Sequence, residues 1–246
     1  MIRPYASRRF LVRAGFAGFG LLAAPRAAGA AMTPPQPDKD VDKKPDEKDV
    51  GAVEDLMREH GVLRRVLCIY SESAPKLRGS GAVDPRPIQQ AAQLFRDFGE
   101  DYHERKLEEA HIFPAVAKAG GAAAALVDVL KAQHERGREI TGFILDIAGK
   151  GAIAQGQAEP LARAFDTFAL MYHNHTARED TVVFPAWKEA LTQDQLDDMA
   201  DRFEDIEREQ FGHDGFEDAV KRIAGIEQAL GLADLAQFTA PPPPKL

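Results

Sequence analysis

Glu108-Glu109-Ala110-His111-Ile112-Phe113-Pro114 is answered later in the chain by Glu179-Asp180-Thr181-Val182-Val183-Phe184-Pro185. Each stretch is a pair of acids followed, two residues on, by an aliphatic residue, Phe and Pro. Histidine precedes each copy: His103 in the first, His173 and His175 in the second. One more histidine lies upstream of each, His60 in Arg58-Glu59-His60-Gly61 and His134 in Ala132-Gln133-His134-Glu135. The repeating unit is a helix with one His, then a helix with His and carboxylate, used twice. One or two such ligands on each of four helices point to a metal centre inside a four-helix bundle.

Apolar spacing supplies the helices. The first is expected from about Gly51 to Ala74, striped by Leu56, Leu63, Leu67 and Tyr70. The second begins at Pro87, a good first-turn residue, and carries Ile88, Ala92, Phe95, Phe98 and Tyr102 up to Gly120-Gly121. The third carries Leu126, Leu130, His134 and Ile140 to Gly149. The fourth starts near Pro160 and stripes Leu161, Phe165, Phe168, Tyr172, His175, Glu179 and Val183. Thr192 and Gln195 form a capping box for a fifth helix ending near Gly212, and a sixth follows from about Phe216 to Leu230. The fold class is therefore all-α: an up-down-up-down four-helix bundle over 51–190, with a C-terminal helical extension over 191–232 and a Pro-rich tail over 233–246.

On helix four, His175 and Glu179 are about 40° apart around a regular helix, and both fall within its aromatic stripe. A buried carboxylate without a partner costs several kcal/mol, and a metal ion is the most economical partner. Helix two is out of step. His103 to Glu108 is five residues, so a regular helix puts them on different faces, and Glu104 points away from the Phe95-Phe98-Tyr102 stripe. Counting back from Phe-Pro makes Glu108 the inward acid; counting forward from the tyrosine makes it Glu109. A π-bulge near Arg105 to Leu107 would reconcile the two ends, whereas helix four should need none near Thr176 to Arg178. The expected ligands are His60, His103, Glu108, His134, His175 and Glu179, with Glu109 the alternative to Glu108. Imidazole with carboxylate suits Fe or Mn, with Zn an option, and carboxylates from opposite helices can bridge two ions. A ferritin-like oxidase would need Glu-x-x-His twice. Glu108-x-x-His111 supplies it once, but Val182 stands where the second His belongs. His111 and His213 are then surface residues, the acids of Asp197 to Glu209 mostly a solvated face, and Tyr102 and Tyr172 core residues, with hydrogen-bond donors to the site's ligands the alternative.

The ends and the charge narrow the partners. Ser7-Arg8-Arg9-Phe10-Leu11-Val12 opens a short apolar run, and Ala28-Gly29-Ala30 offers a cleavage site. Residues 1–30 thus read as a twin-arginine-type signal peptide, implying use of that export machinery and a periplasmic location. Residues 31–50, rich in Pro, Asp and Lys, read as a disordered linker. The whole chain has a net charge of −8, and the first 30 residues hold five arginines and no acid, so the remainder would carry −13. Nucleic acid and, once the signal is removed, anionic membrane are unsuitable partners for such a surface. Cys68 is the sole cysteine, which excludes an intrachain disulfide.

With these blocks the chain resembles the hemerythrin family, in particular the bacterial HHE cation-binding domains, over about Val53 to Leu191. The resemblance implies a non-haem di-iron centre, two ions bridged by carboxylate, that binds or senses O₂, NO or peroxide. It maps His60 to helix one, His103 and Glu108 to helix two, His134 to helix three, and His175 and Glu179 to helix four. A five-residue step from His to carboxylate has precedent in the family, on its fourth helix. Hemerythrins usually place a second His four residues after the helix-three ligand; here that position is Arg138, which leaves one ion short of a ligand, with an exogenous ligand, a single metal or redox chemistry as the alternatives. The alternatives are a periplasmic di-iron oxidase or peroxidase, and a metal-binding or storage bundle without redox function.

Overall fold

The computed structural model describes residues 50–79 and 83–244. The expected signal segment and the linker up to residue 49 lie outside the described residues. Among the described residues the chain is all helical, with no strand. Helix α1 is Ala52–Arg78. Helix α2 is one continuous rod over 85–119, α-helical at Pro85–Leu94 and Phe113–Ala119 but wound differently between. After a short turn at Gly121–Ala124 comes α3, Val127–Ala148. Helix α4 covers 155–189, with Gln155–Arg178 and Phe184–Glu189 α-helical and Glu179–Val183 wound wider. Helices α5 (Gln193–Phe211) and α6 (Gly215–Leu230) complete the chain, with a 3₁₀ turn at Leu235–Phe238.

Two starts differ from the expectation. Helix α2 begins at Pro85, because Asp84 caps it by accepting the Arg86 N–H at 3.0 Å. Helix α4 starts at Gln155 and takes in Pro160. The Thr192–Gln195 capping box at the head of α5 forms in both directions. In the helical bundle, α1 lies against α4, α2 against α3, α3 against α4 and α1 against α2. Every residue of the α1 and α4 stripes is buried. Under the histidines lies an aromatic layer: Tyr70 stacks on Phe165 at 4.5 Å, and Phe168 meets Phe95 at 4.8 Å and Tyr172 at 4.6 Å. The extension covers the outside of α1 and α2, with Phe211 against Tyr102 and Phe98, and Phe203 stacked on Trp187. Most acids of α5 are exposed, but Glu207 is buried and accepts the Phe216 N–H at 2.8 Å.

The winding of α2 is the largest departure from a regular helix. A π-helix, with i→i+5 hydrogen bonds, covers all of Phe95–Ile112 rather than one turn near Arg105. Its buried positions accordingly recur at four or five residues along two neighbouring rows, Phe95, Gly99 with Glu100, Glu104, Glu108 and Ile112 on one and Phe98, Tyr102 with His103, and Leu107 on the other. In α4 the winding is α-helical through Arg178, as expected there. A wide turn follows at once over Glu179–Val183, which the helix-four phase gave no reason to expect. Both wide segments end the same way. The Phe113 N–H bonds to the Glu108 carbonyl and the Phe184 N–H to that of Glu179. A proline follows each Phe. Proline has no N–H to give and its ring collides with the carbonyl four residues back in a tight helix, so a wide turn is the winding that suits both copies.

Candidate metal centre

The six expected ligands converge. His60, His103, Glu108, His134, His175 and Glu179 are each at most 3% exposed. They fall into two halves joined by the carboxylates. Glu108 Oε1 lies 3.4 Å from His103 Nε2 and 4.0 Å from His60 Nε2, while its Oε2 lies 3.3 Å from His134 Nε2. Glu179 Oε1 lies 3.0 Å from His175 Nε2 and 4.0 Å from His134 Nε2, and its Oε2 lies 3.5 Å from His60 Nε2. Each carboxylate therefore turns one oxygen to each half. His60, His103 and Glu108 could hold one ion, and Glu108, His134, His175 and Glu179 a second.

The donor atoms suit a metal better than one another. Both oxygens of Glu108, both of Glu179 and His103 Nε2 are buried without a hydrogen bond. His134 Nε2 faces His175 Nε2 at 3.0 Å. With the Nδ1 atoms donating outward, two lone pairs point at each other there, a repulsive contact unless a proton on His134 or a metal ion lies between them. Two cis nitrogen ligands at about 2.1 Å from one ion would stand about 3 Å apart.

Each imidazole is held from behind, and the holders form a ring. His103 Nδ1 donates to Glu59 at 2.6 Å, His134 Nδ1 to Glu109 at 2.8 Å, His175 Nδ1 to the Gln133 amide oxygen at 2.9 Å, and His60 Nδ1 to Asp180 at 2.7 Å. Such bonds place the proton on Nδ1 and leave Nε2 free to ligate. Helix α1 holds a histidine of α2, α2 one of α3, α3 one of α4, and α4 one of α1. Every holder is the chain neighbour of an inner ligand: Glu59 precedes His60, Gln133 precedes His134, Glu109 follows Glu108 and Asp180 follows Glu179. Two arginines close the pattern. Arg64, four residues after His60, pairs with Asp180, and Arg138, four residues after His134, pairs with Glu109.

Glu109 is thus the partly exposed support of His134, and Glu108 is the inward acid. Glu104 corrects the sequence expectation, because the wide winding turns it inward. It is 1% exposed, accepts the Tyr172 hydroxyl at 2.7 Å and the Arg138 guanidinium at 3.3 Å, and lies 4.0 Å from His134. Tyr102 donates to Glu59 at 3.2 Å, so both tyrosines are core residues that also donate to a buried carboxylate beside the histidines, Tyr102 to a support and Tyr172 to Glu104. His173 is exposed. His111 is partly exposed against Phe203, and His213 lies in the turn after α5 near Phe211, both outside the cluster. The outer set left a signal in the sequence that its reading passed over. Glu/Gln-His-x-x-x-Arg occurs twice, and each copy is followed by the acid pair of a Phe-Pro block, Glu108-Glu109 and then Glu179-Asp180.

Charge in the cluster is divided unevenly. Burial raises Glu179 well above the usual carboxylate range, and the charge of Glu108 adds to this. Burial opposes ionisation of Glu108 too, but His103 and His134 beside it hold it well below that range. Those two histidines are raised in turn against the pull of burial, while burial and the neighbouring His134 keep His175 neutral. With protons alone to balance it, the cluster keeps one bridging carboxyl charged and the other neutral. A divalent cation would let both ionise and would release protons as it bound.

The model of the hemerythrin HHE cation-binding domain matches residues 51–187. The chain belongs to the hemerythrin family. Uncharacterized proteins of Mycobacterium tuberculosis and Mycobacterium bovis are each 39% identical to it over 235 residues, covering 94% of this chain and 90% of theirs. No solved structure matches. The hemerythrin match spans α1 through the Phe184-Pro185 block, so all six inner ligands and their four supports lie within it.

Proposed function

We propose that this hemerythrin-family protein carries a carboxylate-bridged pair of iron ions and binds or senses a small oxidant or diatomic molecule, O₂, NO or peroxide, at that centre. The observation that carries the reading is the division of the donors. Two histidines serve each half, both carboxylates span the halves, and the bridging oxygens have no other partner among the described residues. When bound, iron supplies reversible redox change and coordination positions for a small ligand. The chain's part is to hold four imidazoles as Nε2 donors, exclude water with the aromatic layer, and balance charge. Arg138 bears on the choice of ligand. It stands where the family usually has a histidine, and its guanidinium is engaged with Glu104, Glu109 and Glu135, which leaves that half with nitrogen donors from His134 and His175. We further propose an up-down-up-down arrangement of α1 to α4, export by the twin-arginine route and a periplasmic site of action, on the strength of the repeat and the first 30 residues. No helix among the described residues is long and apolar enough to cross a membrane, and neither membrane nor nucleic acid is proposed as a partner.

A second reading, an oxidase or peroxidase, is favoured by Tyr102 and Tyr172, buried phenols each hydrogen-bonded to a carboxylate beside the histidines. Metal analysis and visible spectra of protein made in iron-rich medium test both readings. Two irons per chain, with absorption that changes on exposure to air, peroxide or NO, is the expected result. Sustained consumption of peroxide would select the second reading, and a colourless zinc protein would overturn both.

A further inference from the structure

The supports of the two halves match position by position, with one exception that changes charge at an inner ligand. Asp180 holds His60 and is paired with Arg64; Glu109 holds His134 and is paired with Arg138. These contacts are equivalent, one on each side. The remaining supports are Glu59 behind His103 and Gln133 behind His175. Each occupies the same place in the repeat, directly before the histidine of its own helix, but one is a carboxylate and the other an amide. A carboxylate behind Nδ1–H makes the imidazole a stronger donor; a neutral amide oxygen orients the ring and adds little basicity.

We propose, on the reading that the cluster holds two ions, that they are held unequally. The half built on His60 and His103 binds its divalent ion more tightly, and the half built on His134 and His175 holds the exchangeable one, with Gln133 setting the difference. Glu104 also stands on the His134 side, where Thr176 is its counterpart beside Arg64. Its oxygens accept from the Tyr172 hydroxyl and the Arg138 guanidinium, so it holds no ligand imidazole from behind and is not one of the four supports. Removing a support of this kind lowers metal affinity about 10- to 100-fold in metalloproteins generally, and that is the size of difference expected between the halves.

The shared carboxylates would couple two ions in one molecule, so each half is measured alone. Metal-free His175→Ala retains the first half and metal-free His103→Ala the second. Each is titrated with Co²⁺ by calorimetry, with circular dichroism to verify the helical fold. The expected result is tighter binding, by about 10- to 100-fold, in His175→Ala. Adding Gln133→Glu to His103→Ala should recover much of the deficit, whereas Gln133→Glu in His175→Ala should change nothing. Equal affinities, the reverse order, or no response to Gln133→Glu in His103→Ala overturns the inequality while leaving the two-ion reading in place. Absence of Co²⁺ binding by the folded wild-type chain overturns the two-ion reading itself. If either single variant is unfolded, Gln133→Glu in the wild-type chain decides: it must strengthen the weaker of two binding steps, and an unchanged isotherm counts against the proposal.

Discussion

At the scale of single residues, adjacent acids have separate duties. On the two-ion reading Glu108→Ala is expected to lose both ions, because each of its oxygens faces a different half, and Glu179→Ala should behave alike. Glu109→Ala should keep the ions with affinity reduced about 10- to 100-fold, as for loss of an outer support. Metal content after desalting, with melting temperature alongside, separates these outcomes; equal loss in Glu108→Ala and Glu109→Ala would contradict the assignment. Glu100 offers a pH test away from the ligands. Burial, reinforced by Glu104 and opposed by Arg96 at 2.7 Å, raises its pKa to about 7 from an ordinary 4.5. A carboxyl raised on folding makes the folded state the better proton binder between those values. This term is therefore neutral below about pH 4.5 and becomes a growing penalty up to about pH 7, of order 3 kcal/mol at most. Glu100→Gln removes that slope. Relative to wild type, denaturant unfolding should move in the variant's favour between pH 4.5 and 7.5. A constant difference would show that Glu100 ionises normally.

At the scale of elements, the winding of α2 decides what could be read in advance. The convergence of the six inner side chains was legible because the Phe-Pro block repeats and because helix four is regular up to Arg178. Glu104 was not, since a period of 3.6 applied to Phe95–Ile112 turns it outward, whereas a step of four to five turns it in. The ring of supports was legible only as repetition, because its meaning depends on contacts between helices that spacing along one helix cannot reveal. Close approach between elements gives a second prediction. A Cβ at Gly137 of α3 would stand 2.0 Å from the Tyr172 hydroxyl, while one at Gly225 of α6 meets nothing within 4 Å. Alanine in place of glycine inside a helix normally gains about 1 kcal/mol. Gly225→Ala should show that gain. Gly137→Ala should instead lose about 1–2 kcal/mol, because overpacking outweighs propensity and the displaced phenol leaves Glu104. Thermal melts of the metal-free forms compare them, and a gain at Gly137 would mean Tyr172 moves freely.

At the scale of the whole molecule, ion binding and folding are one equilibrium. No half is assembled by a single helix, so on the proposed reading ions would bind the folded chain and stabilise it by about 2.7 kcal/mol at a free concentration a hundredfold above the dissociation constant. Chelation should accordingly lower the melting temperature of the loaded protein to that of Glu108→Ala, and a melting temperature indifferent to chelator would separate the ions from the fold. The ring of supports also has a consequence for the order of events in synthesis. It opens at Glu59 and closes at Asp180, and Glu179 serves both halves. A nascent chain that has released α1, α2 and α3 from the ribosome presents histidines with neither their last bridge nor their last support. On the two-ion reading the pair of sites is therefore complete only once translation has passed residue 180, whereas the half built from His60, His103 and Glu108 lies wholly on α1 and α2 and is made first.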